Sequence, residues 1–383
     1  MVKAVRHIIL ATLIAVAPIT AAVGSGDDVT PLSRIRQAMA DSTRSDSLSL
    51  PQKSWKAVQL TLKELDSVET DYIEPQHYNW SVMMQATTAY DLFIISSADG
   101  QRLTLAPDLT LKLGPYFGWR WMFFGYTFDL KNIGLFNNKK KLQFDLSIYS
   151  SKIGVDIFYR RTGDDYKLRS VNLGNGIKTD ELEGSAFDGV VAGITGIDAY
   201  YIFNHKRFSY PAAFSQSTLQ KVSCGSFIAG AGYTRNSLSF DFSKLQATID
   251  KIYGAGEVKV DSGLMFPKVK YHDISISAGY AYNFVLPHNW LLGISGQAAL
   301  AYKKSSGNAN GDGQRGFQFD NINIDGIGRF GLVYNNMRWY TGTSLIVHTN
   351  NYRKARFTTS NFFGSFNIYL GYNFGLRKKY RNR

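Results

Sequence analysis

The stretch Tyr271-His272-Asp273-Ile274-Ser275-Ile276-Ser277-Ala278-Gly279-Tyr280-Ala281-Tyr282-Asn283-Phe284 alternates along its whole length. Ile274, Ile276, Ala278, Tyr280, Tyr282 and Phe284 fall on one face, with Ser275, Ser277, Gly279, Ala281 and Asn283 on the other. A period of two held this long is a β-strand, because successive Cβ atoms of an extended chain point to opposite sides. Working outward, Val285-Leu286-Pro287-His288-Asn289 reads as a turn, and the alternation then returns. Leu292, Ile294, Ala298, Leu300 and Tyr302 oppose Gly293, Ser295, Gln297 and Ala301. The same pattern recurs at 142–149, at 152–160 and at 365–374.

Alternation alone also fits a soluble sandwich, so the ends of the strands and their second faces decide. The apolar faces end in aromatics (Trp290, Tyr302, Tyr159, Trp339, Phe374), as girdles at two membrane interfaces require. The opposite faces carry Gly, Ser, Asn and charges. A dry core between two sheets has no place for those. A closed barrel satisfies both faces, with lipid outside and water or ion pairs inside. Connections also alternate in length. Short ones are expected near Pro115-Tyr116-Phe117, Ser150-Ser151, Leu286-Pro287-His288 and Asn335-Asn336, and long ones at 132–141, 162–189, 236–269, 304–316 and 351–359. A short link at Ala98-Asp99-Gly100 and a long one at 204–218 break the rule. The pattern predicts an all-β fold: a transmembrane antiparallel up-and-down barrel of about 12 strands, with both termini on the short-turn side. Pro107 interrupts one strand and marks an expected bulge, since a closed barrel has no edge to hold it.

The N-terminus predicts export. Lys3, Arg6 and His7 precede the apolar run Ile8 to Val16, and Ala22-Val23-Gly24 or Thr20-Ala21-Ala22 supplies small residues for cleavage. The run is too short for a spanning helix, which needs about 20 apolar residues. The domain plan is therefore a signal peptide over 1–24, a disordered periplasmic linker over 25–77 with one short helix near Trp55 to Leu65, a barrel over 78–376, and a basic periplasmic tail over 377–383. The expected address is a bacterial outer membrane. Cys224 is the single cysteine, so no intrachain disulfide can form.

A net charge of +13 invites a nucleic-acid reading, but no nucleic-acid-binding motif accompanies it. Outer-membrane lipid and lipopolysaccharide, together with the barrel assembly machinery, are the expected partners. The segments Leu113-Gly114-Pro115-Tyr116-Phe117-Gly118-Trp119-Arg120-Trp121 and Ile153-Gly154-Val155-Asp156-Ile157-Phe158-Tyr159-Arg160-Arg161 point further. With Asp165-Tyr166-Lys167 and the entry Asp71-Tyr72-Ile73-Glu74-Pro75, they resemble a Bacteroidetes-type family of outer-membrane barrels known only as a domain of unknown function. The resemblance runs from about residue 66 to the C-terminus. It implies barrel and location, and no activity or catalytic residues. The basic tail after Phe374 departs from the usual aromatic ending.

Ser344, His348 and Asn350 share one strand and suggest a barrel lipase. Four residues of strand separate Ser344 from His348 by about 13 Å, beyond hydrogen-bond reach, so a catalytic pair is not expected. His77, His205, His272 and His288 lie in or beside inferred turns without metal-ligand spacing. Gly174-Asn175-Gly176 and the run Gly307 to Gly316 read as loops, and Asn308 to Gly313 lacks the closing Glu of a calcium loop. No cofactor motif is present. The functional candidates are the inward charges Lys112, Asp129, Asp145, Asp156, Arg160, Asp198, Asp325 and Arg329, which either pair to plug a barrel or line a narrow solute pore. The expected role is a passive small-solute pore or a structural envelope protein. The alternatives are a lipid-modifying enzyme or an adhesin-like barrel acting through loops 162–189 and 236–269.

Overall fold

The computed structural model describes residues 68–119, 122–125, 127–129, 142–161, 166–174, 176–261, 264, 268–305, 322–353 and 357–381. The expected signal segment, the expected helix near Trp55, the expected loop at 132–141 and the run Asn308 to Gly313 lie outside these residues. A short strand β1 (Ile73–Pro75) leads into β2 (Tyr78–Ser97), β3 (Arg102–Pro107), β4 (Thr110–Trp119), β5 (Met122–Gly125), β6 (Phe128–Asp129), β7 (Leu142–Tyr149), β8 (Ile153–Arg161), β9 (Tyr166–Asn172) and β10 (Val190–Ile202). There follow a helical turn α1 (Tyr210–Phe214), β11 (Thr218–Gln220), β12 (Cys224–Phe240) and the helix α2 (Phe242–Tyr253). The long strands β13 (Lys268–Leu286), β14 (Trp290–Ser305), β15 (Ile322–Asn335), β16 (Trp339–Arg353) and β17 (Phe357–Leu376) complete the chain.

These strands make one antiparallel, transmembrane up-and-down barrel sheet of 12 strands in the order β5-β4-β2-β17-β16-β15-β14-β13-β12-β10-β8-β7. The first long strand pairs with the last, from Ser97↔Phe357 down to Trp80↔Phe374. The junction between β6 and β7 falls at 130–141, outside the described residues. Contacts across the interior show how far the sheet curls: Arg160 on β8 donates to the Gly364 carbonyl on β17 at 3.2 Å.

The faces follow sequence parity. Ile274 (63% exposed), Ile276 (65%), Leu300 (55%) and Ile324 (66%) form part of an outward band. Their neighbours Asp273, Ala301 and Lys303 are buried inside. So continuous an apolar surface is foreign to a water-soluble monomer, whose largest patch spans about 300–600 Å². From Trp290 to Tyr302 the outward face of β14 rises about 30 Å, at 3.4 Å per residue and a tilt near 40°, which matches a bilayer's hydrocarbon core.

Several details differ from the sequence reading, among them the disordered linker expected over 25–77, whose last residues form β1 and pair with β11. Pro115, Tyr116 and Phe117 are not a turn; they lie within β4, and the reversal follows Trp119. The connection at 351–359 is short, because β16 continues to Arg353 and β17 begins at Phe357. His272 sits in strand β13 rather than at a turn. The irregularity at Pro107 is a bulge: β3 pairs as Phe93↔Leu105 and β4 as Ala89↔Thr110, so the second strand carries one extra residue.

Both mouths are filled by chain. At the loop end, inward side chains of the barrel (Phe93, Ile95, Ala192, Leu238) share an apolar core with β3, β9, the segment 173–189 and Leu245 and Ile249 of α2. Helix α2 begins at Asp241, whose carboxylate accepts from the Ser243 and Lys244 amides, and ends at Gly254 with φ 100°. At the turn end, the long link between β10 and β12 folds inward. Ser209 caps α1 by accepting from the Ala212 amide, and Phe208, Tyr210, Ala212 and Ala213 are buried.

Candidate functional site

The interior is a stack of polar and aromatic contacts between opposing walls. Nearest the turn end, α1 packs where Gly293 and Gly331 present no side chain. A Cβ on Gly293 would stand 2.4 Å from the Ala213 Cβ, and one on Gly331 would stand 2.8 Å from the Ala213 carbonyl oxygen. Gln216, which follows the helix, donates to the Tyr369 hydroxyl at 2.7 Å. The plug is also tied to the chain entering the barrel. β1 pairs with β11, Arg207 meets Glu69 at 2.9 Å, and the Lys221 amide donates to the Tyr72 carbonyl at 2.8 Å.

Above the plug lies Arg329, its side chain fully buried. Its guanidinium pairs with Asp156 and donates to the Tyr210 hydroxyl at 3.2 Å, with the Tyr200 ring 5.1 Å away. Asp156 also accepts from the Ser147 hydroxyl at 2.5 Å. Asp198 stands directly opposite Asp156 in the β8–β10 ladder, and its carboxylate fills the space in front of Gly232, where a Cβ would come within 2.1 Å. A second cluster joins Arg160 to Asp145 through two parallel bonds of 3.2 and 3.0 Å. The Arg160 guanidinium lies 5.2 Å from the Phe363 ring, which stacks on His348 at 4.9 Å. A third centres on Lys303, also fully buried, with Asp325 at 2.7 Å, Asp273 at 3.3 Å and Asn350 in hydrogen-bond contact. Tyr271 and Tyr352 stack beside it, with centroids 4.6 Å apart.

The eight charges named from sequence are thus distributed. Asp156 meets Arg329, and Asp145 meets Arg160. Asp198 borders the first of these pairs, and Asp325 belongs to the Lys303 cluster. Lys112 is half-buried on β4, opposite Asp129 in register; the Asp129 side chain lies outside the described residues. Sequence reasoning passed over Lys303 and Asp273, although parity places Lys303 with Gln297 and Ala301, and Asp273 with Ser275. It also passed over Tyr210, whose link was noticed only as too long for its side of the barrel. Ser344 and His348 serve separately: Ser344 accepts from the Asn367 amide at 3.2 Å, while His348 packs on Phe363. Among the described residues no cluster of His, Cys, Asp and Glu is arranged to hold a metal ion.

Residues 64–374 match the family described as a domain of unknown function, DUF4421. The chain belongs to the DUF4421 family. No curated protein matches it. Among solved structures, it is similar to the outer membrane protease OmpT from Escherichia coli, at 9% identity and a TM-score of 0.31, covering 80% of this chain and 100% of that one. It is also similar to the translocator domain of the autotransporter NalP from Neisseria meningitidis, at 9% identity and a TM-score of 0.29, covering 88% and 97%. A third likeness is to the toluene transporter TodX from P. putida, at 7% identity and a TM-score of 0.20, covering 78% and 91%. These likenesses concern fold alone and assign no activity to the DUF4421 chain.

Proposed function

We propose that this protein is a closed structural barrel of a bacterial outer membrane, with its turn end in the periplasm and its loop end outside, rather than a passive small-solute pore. The observation that carries this reading is the occupied lumen. The α1 plug, the three ionic clusters and the loop-end apolar core succeed one another along the axis, and Arg329 and Lys303 are each fully buried. A water-filled pore would leave such groups hydrated. Here Lys303 is held by Asp273, Asp325 and Asn350 from three other strands, and Arg329 by Asp156 of β8 and Tyr210 of the plug, which ties the walls together. The outward apolar band and aromatic rims support the membrane address. Proteoliposomes containing the full chain should show no more swelling in small sugars than empty liposomes; swelling at porin-like rates would refute the proposal.

A second reading, partner binding through the loop end, draws on one feature. Segments 162–189 and 236–269 contribute Leu168, Leu173, Phe187, Leu245 and Ile249 to a common core, which anchors the described parts of both to the barrel mouth. A loop-end antibody fragment that blocks adhesion of whole cells would support it, and loss of the protein without change in adhesion would count against it.

A further inference from the structure

The cations inside the barrel meet acids; on the outside, one set of basic side chains shares a face with no acid among the described residues of its strands. Strand register places Arg235 opposite His272, and His272 opposite Lys304, in consecutive ladder positions across β12, β13 and β14. All three lie on the outward parity, with Arg235 and Lys304 exposed. Lys270 follows on the same face of β13, and the exposed Arg161 sits at the matching level of β8, separated from it by Gly193 and Ser237. Among the described residues of β8, β10, β12, β13 and β14, no Asp or Glu shares this outward face.

Side chains at directly opposed positions stand about 4.5–5.5 Å apart at Cβ, so Arg235 and Lys304 flank His272 from the two neighbouring strands, and Lys270 adds a further cation on the same face of β13. One polyanionic headgroup can meet all of them at once. The depth of the row identifies which anion. One ladder pair nearer the membrane centre are Tyr233, Ile274 and Tyr302, the aromatic rim, and beyond them Ile276 and Leu300 are exposed to hydrocarbon. The row thus lies at headgroup level, above a surface suited to acyl chains. Tyr233 holds His272 through a 2.7 Å hydrogen bond and a near-parallel ring contact, which fixes that side chain in the row.

We propose that Arg235, His272, Lys304 and Lys270 form a binding site for the phosphate groups of a phosphorylated glycolipid in the outer leaflet. The proposal rests on the reading above that the loop end faces outward. Binding in detergent does not depend on that orientation, so the two can fail separately.

The test uses the full chain, purified in a neutral detergent, with bisphosphorylated lipid A as the probe and native mass spectrometry as the readout. Wild type should retain lipid A. The variant Arg235→Gln/Lys270→Gln/Lys304→Gln should lose it by about a hundredfold, each single change costing about fivefold. Unchanged heat-modifiable gel migration would show that the variant barrel is intact. Dephosphorylated lipid A should bind like the triple variant. Equal retention by wild type and triple variant would overturn the proposal, as would indifference to the phosphates. Displacement by millimolar inorganic phosphate, or equal retention of phosphatidylglycerol, would also overturn it, by showing a site for any anion. If binding holds but biotinylation of intact cells fails to reach the loop end, the orientation is wrong and the outer-leaflet occupant falls with it, while the phosphate site itself stands.

Discussion

Replacing Arg329 by Met removes the cation at the centre of the barrel while keeping much of its aliphatic volume. The Arg329 side chain is fully buried and that of Asp156 is 7% exposed. Breaking such a pair from one side costs about 3–5 kcal/mol, whereas an exposed pair is worth about 1 kcal/mol or less. The upper part of that range is expected here for two reasons. Asp156 and Asp198 occupy directly opposed positions and would face each other without Arg329, and Tyr210 would lose the donor at 3.2 Å that helps hold the plug. Urea unfolding in detergent micelles, read by gel migration and tryptophan fluorescence, measures the loss. At a slope of about 3 kcal/mol per molar, the midpoint should fall by 1 M or more. Adding Asp156→Leu to Arg329→Met should recover part of the loss, because replacing a whole buried pair with apolar side chains is often neutral or stabilising. A single-variant shift below about 0.3 M, the size expected for a solvated pair, would refute the reasoning. So would a double variant whose loss equals the sum of the two singles.

Gly293→Val should force α1 away from β14, because the new Cβ would lie 2.4 Å from the Ala213 Cβ. The expected cost is about 1–3 kcal/mol, together with faster tryptic cleavage after Arg207; unchanged cleavage would show that the plug does not depend on this contact. Two loop-end carboxyls should titrate in opposite directions from their ordinary range. Hydrogen bonds from Lys167 and Arg169 hold Asp108 low, while a shared hydrogen bond with Asp261 and repulsion from it push Asp99 up. The contribution of Asp108 is present above its unfolded pKa and lost as pH falls through its lower folded value. Carboxyl-carbon NMR titration should find Asp99 protonating before Asp108 on acidification; the reverse order would contradict both contacts.

The outward face was legible in sequence because its requirement is local: every second residue must tolerate lipid, as in Tyr271 to Phe284. The bulge at Pro107 was legible for a similar reason, since one missing N–H constrains one ladder. The plug was not. Tyr210–Phe214 is a single helical turn with no long amphipathic pattern, and its seat at Gly293 and Gly331 lies some eighty to a hundred and twenty residues further along the chain. The loop at 351–359 was overdrawn because Thr358 and Ser360 on one face alternate with Thr359 and Asn361 on the other, so polarity no longer reports parity there. The ion pairs were half legible. Parity marks Asp156, Arg160 and Arg329 as inward, but choosing Asp156 as the partner of Arg329 depends on how the sheet curls to bring β15 against β8.

Cysteine scanning along β14, in a Cys224→Ser background, tests the filled membrane barrel most directly. Ile294→Cys, Ala298→Cys and Leu300→Cys should react in proteoliposomes with an apolar maleimide and resist a charged one. Ser295→Cys, Ala299→Cys and Ala301→Cys, at positions 3%, 4% and 0% exposed, should react with neither until the barrel is unfolded in urea. Reaction of these inward positions with the charged reagent in the folded protein would reveal a water-filled lumen and contradict the account.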